Sequence, residues 1–130
     1  MKKIHNILIL SLTFMMISSS ASAQAFDNVK TAIKIGSSKE LSAFFDNNIE
    51  ITVDGKTSNY SKAQGEFVVK DFFKTNPPID FKIIHNGKSE GGLQYAIGTY
   101  TSSTFLTSST YRVLIRLKGE KVYNLSFTKE

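Results

Sequence analysis

The stretch Tyr60–His85, YSKAQGEFVVKDFFKTNPPIDFKIIH, constrains the fold more than any other part of the 130-residue chain. Ser61 stands three residues before Gln64, the spacing at which each side chain satisfies the other's free backbone N–H in a capping box. At about 100° per residue, Val68, Val69, Phe72 and Phe73 share one arc of the helix that follows. Lys70, Asp71, Lys74 and Thr75 share the other. Phe67 falls with the polar set. It reads either as one exposed ring of an ordinary kind or as a contact point for a partner. Pro77 and Pro78 stop the helix, because neither has an N–H to donate and Asn76, before a proline, is pushed out of the α region. Ile79–Ile83 then alternates apolar and polar residues, as a strand with one buried face does. Phe81 and Ile83 would face the helix. A long aromatic-faced helix laid on a curved antiparallel sheet is an α+β arrangement.

Residues 1–23 read as a signal peptide. Lys2 and Lys3 give the positive start, Ile7–Ile17 the apolar run, and Ala21-Ser22-Ala23 a small-residue cleavage site. The run is shorter than the ~20 residues of a membrane span. The expectation is an exported protein, periplasmic or secreted, cleaved between Ala23 and Gln24. Removing residues 1–23 from 130 leaves 107, a single domain over 24–130 with one modest core. The same removal takes Lys+Arg from 16 to 14 against 11 acids, a net +3. With no basic run of five or more, nucleic acid is not an expected partner. All three methionines (Met1, Met15, Met16) lie in the leader and the chain has no Cys or Trp, so disulfides, thiol chemistry and soft metal ligands are excluded. No cofactor is implied.

Before the central stretch, Phe26, Val29, Ala32 and Ile33 keep helical spacing, and Gly36 is placed to leave that helix in a left-handed conformation. Ser37–Glu40 reads as a second capping box, and Leu41, Phe44 and Phe45 as the buried stripe of a second helix. Asp46–Asn48 reads as a turn, Ile49–Val53 as a strand, Asp54-Gly55 as turn chemistry, and Lys56–Asn59 as a polar loop. After the central strand, Leu93–Ser103 is β-rich, with its faces left open and Gly98 a candidate bulge. Ser102–Ser109 is a Ser/Thr-rich loop carrying Phe105 and Leu106. Tyr111–Leu117 and Tyr123–Phe127 alternate as the closing strands of an antiparallel meander.

This order of helix, helix, strand, long helix and four strands resembles the nuclear-transport-factor-two-like (cystatin-like) superfold, a cone-shaped curved sheet wrapped on the long helix. Locally, YSKAQ, KDFFKTNPP, FKIIHNG, YAIGTYT and YRVLIRLKGEKVYNLSF are similar to a domain-of-unknown-function family of short exported Bacteroidetes proteins. The resemblance covers nearly all of the mature chain. It implies the fold, a cone interior and frequent dimerisation, so the expected state is a monomer or a homodimer. It supplies no activity.

Enzymes of the superfold set a carboxylate base and a hydrogen-bonding acid inside the cone. Here Asp71, Asp80 and Glu50 fall on outward positions, and Asp46 and Asp54 read as turn residues, so no acid–base pair is named. His85 shares the parity of Phe81 and Ile83. It reads as a hydrogen-bonded rim residue or as a group at the cone mouth that orients a ligand, with Tyr95, Tyr111 and Tyr123 as its companions. The three tyrosines read equally as core rings. No second histidine or cysteine accompanies His85, so no metal site is expected. Lys82, Arg112 and Arg116 share the outward face of the sheet, as a solvated face or as a docking surface for an anionic envelope component. The expected function is an exported, non-enzymatic binding or interaction module, its partner an envelope protein or a small apolar ligand. The alternatives are a small-molecule carrier and an isomerase or hydrolase working in the cone interior. The interior is expected to be filled by its own side chains, with at most a small pocket near His85.

Overall fold

In the computed structural model, residues 21–130 are described, with side chains from Ala23 onward. The proposed leader, residues 1–23, lies almost wholly outside them. Helix α1 (Ala21–Ile35) ends as expected: Gly36 takes a φ of 70°, its N–H bonds to the Ile33 carbonyl, and the Ser37 N–H reaches the Ala32 carbonyl. Those two bonds are the Schellman pair, which satisfies carbonyls the helix leaves free. Short helix α2 (Ser38–Ser42) follows, with the Ser37 hydroxyl accepting from the Glu40 N–H.

The second helix stops earlier than its apolar pattern predicts. Strand β1 (Phe45–Val53) already includes Phe45 and the Asp46–Asn48 segment that reads as a turn. The competing force is non-local: the Phe44 carbonyl accepts the Val122 N–H, and Phe45 lies opposite Val122 in the sheet. A second difference is strand β2 (Lys56–Ser61), where the sequence suggests a loop. Asp54 and Gly55 both take positive φ, 51° and 79°, which folds the chain into a tight hairpin. The strand is polar because it is an edge that buries almost nothing.

Helix α3 (Lys62–Thr75) carries the full capping box, Ser61 and Gln64 each bonding the other's backbone. Val69, Phe72 and Phe73 are buried, Val68 is half-buried, and Phe67 is 70 % exposed, as the helical phase requires. Gly65 lets α3 lie close on β1, since a Cβ there would come within 3.0 Å of Ile49. Strands β3 (Pro78–Lys88), β4 (Gln94–Ser103), β5 (Ser108–Lys118) and β6 (Lys121–Lys129) complete an open, cone-like sheet of order β2-β1-β6-β5-β4-β3. It is mixed rather than wholly antiparallel, because β1 runs parallel to β6, with Ile51 opposite Leu125 and Val53 opposite Phe127. No helix among the described residues is long and apolar enough to cross a membrane.

The inner face of the sheet meets α1 and α3 in one core. Register decides the faces of β4: Ala96, Gly98, Tyr100 and Ser102 point inward and are buried. Gly98 is not a bulge. It pairs regularly with Ile83 and Val113 and is small because the Phe81 ring lies over it. The bulge is instead in β3, where Ile83 faces Gly98 and His85 faces Ile97, so Ile84 is the extra residue. At the far end of the β4–β5 hairpin, Phe105 and Leu106 stand in solvent.

Candidate functional site

Pro77 forces α3 to end at Asn76, and that residue becomes the junction of the cone mouth. Its N–H still bonds the Phe72 carbonyl at 2.8 Å, while φ −127° and ψ 74° take it out of the helix. Its carboxamide oxygen accepts the Tyr111 hydroxyl at 3.0 Å, and its carbonyl accepts the Tyr100 hydroxyl. One residue on, the Pro77 carbonyl accepts the Ser102 hydroxyl at 2.8 Å. Strands β4 and β5 thus hold the C-terminal end of α3 against the sheet through three side-chain bonds. Burial pushes the Tyr100 phenol up, with Tyr111 adding to it. Burial also pushes the Tyr111 phenol up, with the Asp54 carboxylate second. Both rings keep their protons through neutral pH and act as donors.

Between this end of α3 and the β1–β2 turn lies an open cleft of about 410 Å³. Its apolar wall is Val53, Phe67, Val68 and Phe72, and its polar rim is Asp54, Asp71, Thr75 and Asn76. The floor is firm, because Phe72 stacks on Phe127 with ring centres 4.1 Å apart and meets Tyr111 edge-on at 5.1 Å. The volume falls within the range of small-molecule sites, about 300–1,000 Å³. The interior behind it is packed, with Tyr100, Phe45, Phe81 and Phe127 fully buried. The filled interior is as expected, but the expectation of at most a small pocket near His85 is corrected: this further cleft opens at the α3 end of the cone, away from that residue.

The inward placing of His85 is corrected too. A one-residue bulge reverses which side chains face the core, so beyond Ile84 the odd positions of β3 turn outward and His85 is exposed. On that outer face its Nε2 lies 3.1 Å from the Tyr95 hydroxyl. Tyr123 is half-buried at the irregularity where β6 slips against β5, at the opposite end of those strands from the cleft. Of the four residues read from sequence as a cone-mouth group, only Tyr111 adjoins the cleft, through Asn76. An open hollow of about 240 Å³ lies beside Asn86 and Gly87, next to His85 in the chain, and is closed on one side by Ala23 and Phe26.

Lys82, Arg112 and Arg116 lie on the outer face, as their alternation predicts. Lys82 approaches Asp80 at 3.7 Å and Arg112 meets Glu130 at 2.9 Å. Glu50 is also outward and accepts the Asn124 amide at 2.8 Å. Asp71 is exposed, as its arc predicts, yet it borders the cleft. Asp54 borders it as well, and no spacing in the sequence joins these two. The signals that bear on the cleft are the Asp54-Gly55 turn, which brings Asp54 round to α3, and Phe67, whose ring breaks the polar arc. Among the described residues, no three His, Asp or Glu side chains gather as a metal site would require.

No curated protein matches the chain. Solved structures share its fold. A protein from Bacteroides ovatus described as a DUF4783 family protein superposes with TM-score 0.67 at 23 % identity, over 79 % of this chain and 93 % of the other. One from Bacteroides uniformis gives 0.68 at 19 % identity, over 80 % and 95 %. A protein from Bacillus subtilis described as a putative isomerase gives 0.66 at 12 % identity, over 85 % and 87 %. At these identities the likeness is one of fold, here nuclear-transport-factor-two-like. In sequence, residues 26–127 match the family described as "Domain of unknown function (DUF4783)", to which this chain belongs.

Proposed function

We propose that the protein is an exported, non-catalytic binding module whose cone-mouth cleft takes a small molecule with an apolar body. The observation that carries this reading is the 410 Å³ cleft walled by Val53, Val68 and Phe72, with the Phe67 ring 70 % exposed beside them. An apolar ring on an otherwise polar helix arc gains nothing for folding where it stands. Covered by a ligand, it would contribute about 1.5–3 kcal/mol of burial. A neutral fluorescent probe such as N-phenyl-1-naphthylamine tests the reading. Binding is expected, and Phe67→Ala should weaken it about fivefold or more while leaving the fold intact. Unchanged binding in Phe67→Ala, or no binding by the wild type, would overturn it.

A catalytic reading has one observation in its favour, the Asp54 carboxylate on the same rim as Asn76, which accepts the Tyr111 hydroxyl. Against it, the Tyr111 hydroxyl is already committed to Asn76 at 3.0 Å, and neither tyrosine is poised to exchange a proton near neutral pH. Export rests on the charged start, apolar run and Ala-Ser-Ala motif of residues 1–23. Intact mass of the protein recovered outside the cytoplasm should correspond to a chain beginning at Gln24. A mass that retains residues 1–23 would remove the periplasmic or secreted assignment.

A further inference from the structure

We infer that the tip of the β4–β5 hairpin, Phe105-Leu106, docks on a lipid bilayer and inserts its two side chains at the boundary of headgroups and acyl chains. The tip is separate from the cleft, which none of residues 103–108 lines. Phe105 is fully exposed and Leu106 is 85 % exposed, the barest large apolar side chains among the described residues. The sheet register shows how they are carried. β3 pairs with β4 as far as Pro78 opposite Ser102, and β6 pairs with β5 as far as Lys129 opposite Tyr111. Beyond those pairs β4 and β5 continue together, through Ser103 opposite Ser108. At about 3.3 Å per residue, Phe105 and Leu106 stand roughly 7–10 Å ahead of the last β3 pair. Helices that lie on a bilayer sink their apolar face to about the same depth, ~5–10 Å.

Polarity along the hairpin follows the order in which a bilayer is entered. Behind the apolar tip come the hydroxyl side chains of Ser103, Thr104, Thr107 and Ser108, and no Asp, Glu, Lys or Arg stands between Glu90 and Arg112. On the neighbouring strands charges begin further back, at Asp80 opposite Thr101 and at Lys129 opposite Tyr111. Asp80 is paired with Lys82 at 3.7 Å, and Glu130 with Arg112 at 2.9 Å. The backbone is paired down to the tip: the Thr104 N–H donates to the Thr107 carbonyl at 2.7 Å, and the Thr107 N–H to Thr104 Oγ1 at 3.2 Å. Unpaired backbone groups are what keep irregular chain out of lipid.

Size and shape favour a bilayer over a protein partner. Two side chains on a convex tip fall far short of the ~800 Å² per partner that a standard protein interface buries. A bilayer needs no complementary pocket to take them. Ile35 and Ile79, 59 % and 61 % exposed, add apolar surface at the same end of the molecule, where Gly36 lies against the Pro78 ring. Exposed apolar surface gathered at one place marks a contact with a membrane or a partner, and the uncharged shaft behind this tip suits the membrane.

A chain of net positive charge adsorbs to anionic lipid without any tip, so vesicles of neutral phosphatidylcholine are the probe. Residues 1–23 are removed for the test, because their apolar run would enter vesicles by itself, and the core from Ala25 onward is kept. In flotation the wild type should bind, and Phe105→Ser/Leu106→Ser should bind at least about tenfold more weakly. Added salt should change wild-type binding little, since the tip carries no charge. The chain has no Trp, so Phe105→Trp places a sole indole at the tip. Its emission should move to the blue when vesicles are added, while that of Ile84→Trp, at the exposed bulge of β3, should stay where it is. No binding by the wild type, equal binding by the double variant, or no shift at Phe105→Trp would overturn the inference. Self-association that the double variant abolishes, without vesicle binding, would give the tip to a second copy of the chain and overturn it as well. Thermal melts of the double variant should match wild type, because both side chains are exposed. Should it fail to fold, Phe105→Trp, which keeps a ring at the tip, still decides the matter.

Discussion

Phe72→Ala is expected to lower the unfolding free energy by about 3–5 kcal/mol, the usual loss for a buried phenylalanine. The ring is 4 % exposed and stands at the centre of the aromatic cluster. It stacks on Phe127 at 4.1 Å, meets Tyr111 edge-on at 5.1 Å and lies 5.4 Å from Tyr100. Both tyrosines are tied through their hydroxyls to Asn76, so they cannot swing in to fill the space. One side of Phe72 borders the cleft, and water could enter the gap from there, which places the loss toward the lower half of the range. Five residues earlier on the same helix, Phe67→Ala should cost well under about 1 kcal/mol, because its ring is already in solvent. Urea melts with a shared m-value measure both. A larger loss at Phe67 than at Phe72 would mean that α3 turns a different face to the sheet, with Phe67 rather than Phe72 in the core.

The helix phase, its capping box, the Gly36 exit, the inward face of β5 and those of β3 and β6 away from their irregularities are legible because each is written in neighbouring residues. A capping box needs four residues, and a strand face needs alternate ones. What could not be read depends on partners far away in the chain. Leu41, Phe44 and Phe45 keep a helical spacing, but Phe45 is captured by Val122 across a parallel pairing that no local pattern announces. Strand β2 has a polar composition because its position at the sheet edge asks for nothing else, and only Asp54-Gly55 pointed to the hairpin. His85 was misplaced because alternation assumes an unbroken ladder, and Ile84 breaks it. The candidate site was the least legible part. It joins a turn, two faces of one helix and a strand end, and its two acids lie in segments that read separately as a turn and as a solvated arc. Its visible signals are the Asp54-Gly55 turn and Phe67, an aromatic ring where the helix should be polar.

Gly98→Ala is expected to destabilise the protein by about 1–3 kcal/mol, although a change from glycine to alanine usually helps a strand. Glycine within a strand carries an entropic penalty and packs nothing, so its replacement normally stabilises where space allows. Here the space is taken. A Cβ on Gly98 would stand 2.5 Å from Phe81 Cε1, 2.6 Å from Cζ and 2.9 Å from the Lys82 carbonyl oxygen. Phe81 is fully buried, and Lys82 belongs to the β3–β4 ladder, opposite Thr99. Relief would require Phe81 to leave its rotamer or β3 to lift from β4, and each forfeits packing that the rest of the core depends on. The variant Phe81→Leu supplies the control, since it withdraws the two ring atoms nearest the new methyl. Gly98→Ala should then be less harmful in the Phe81→Leu background than in the wild type, a coupling that a double-mutant cycle reads directly. Additive losses would place the conflict with the Lys82 carbonyl rather than the ring. A neutral or stabilising Gly98→Ala would show that β3 and β4 have room between them, and the account of this glycine as a seat for Phe81 would fail.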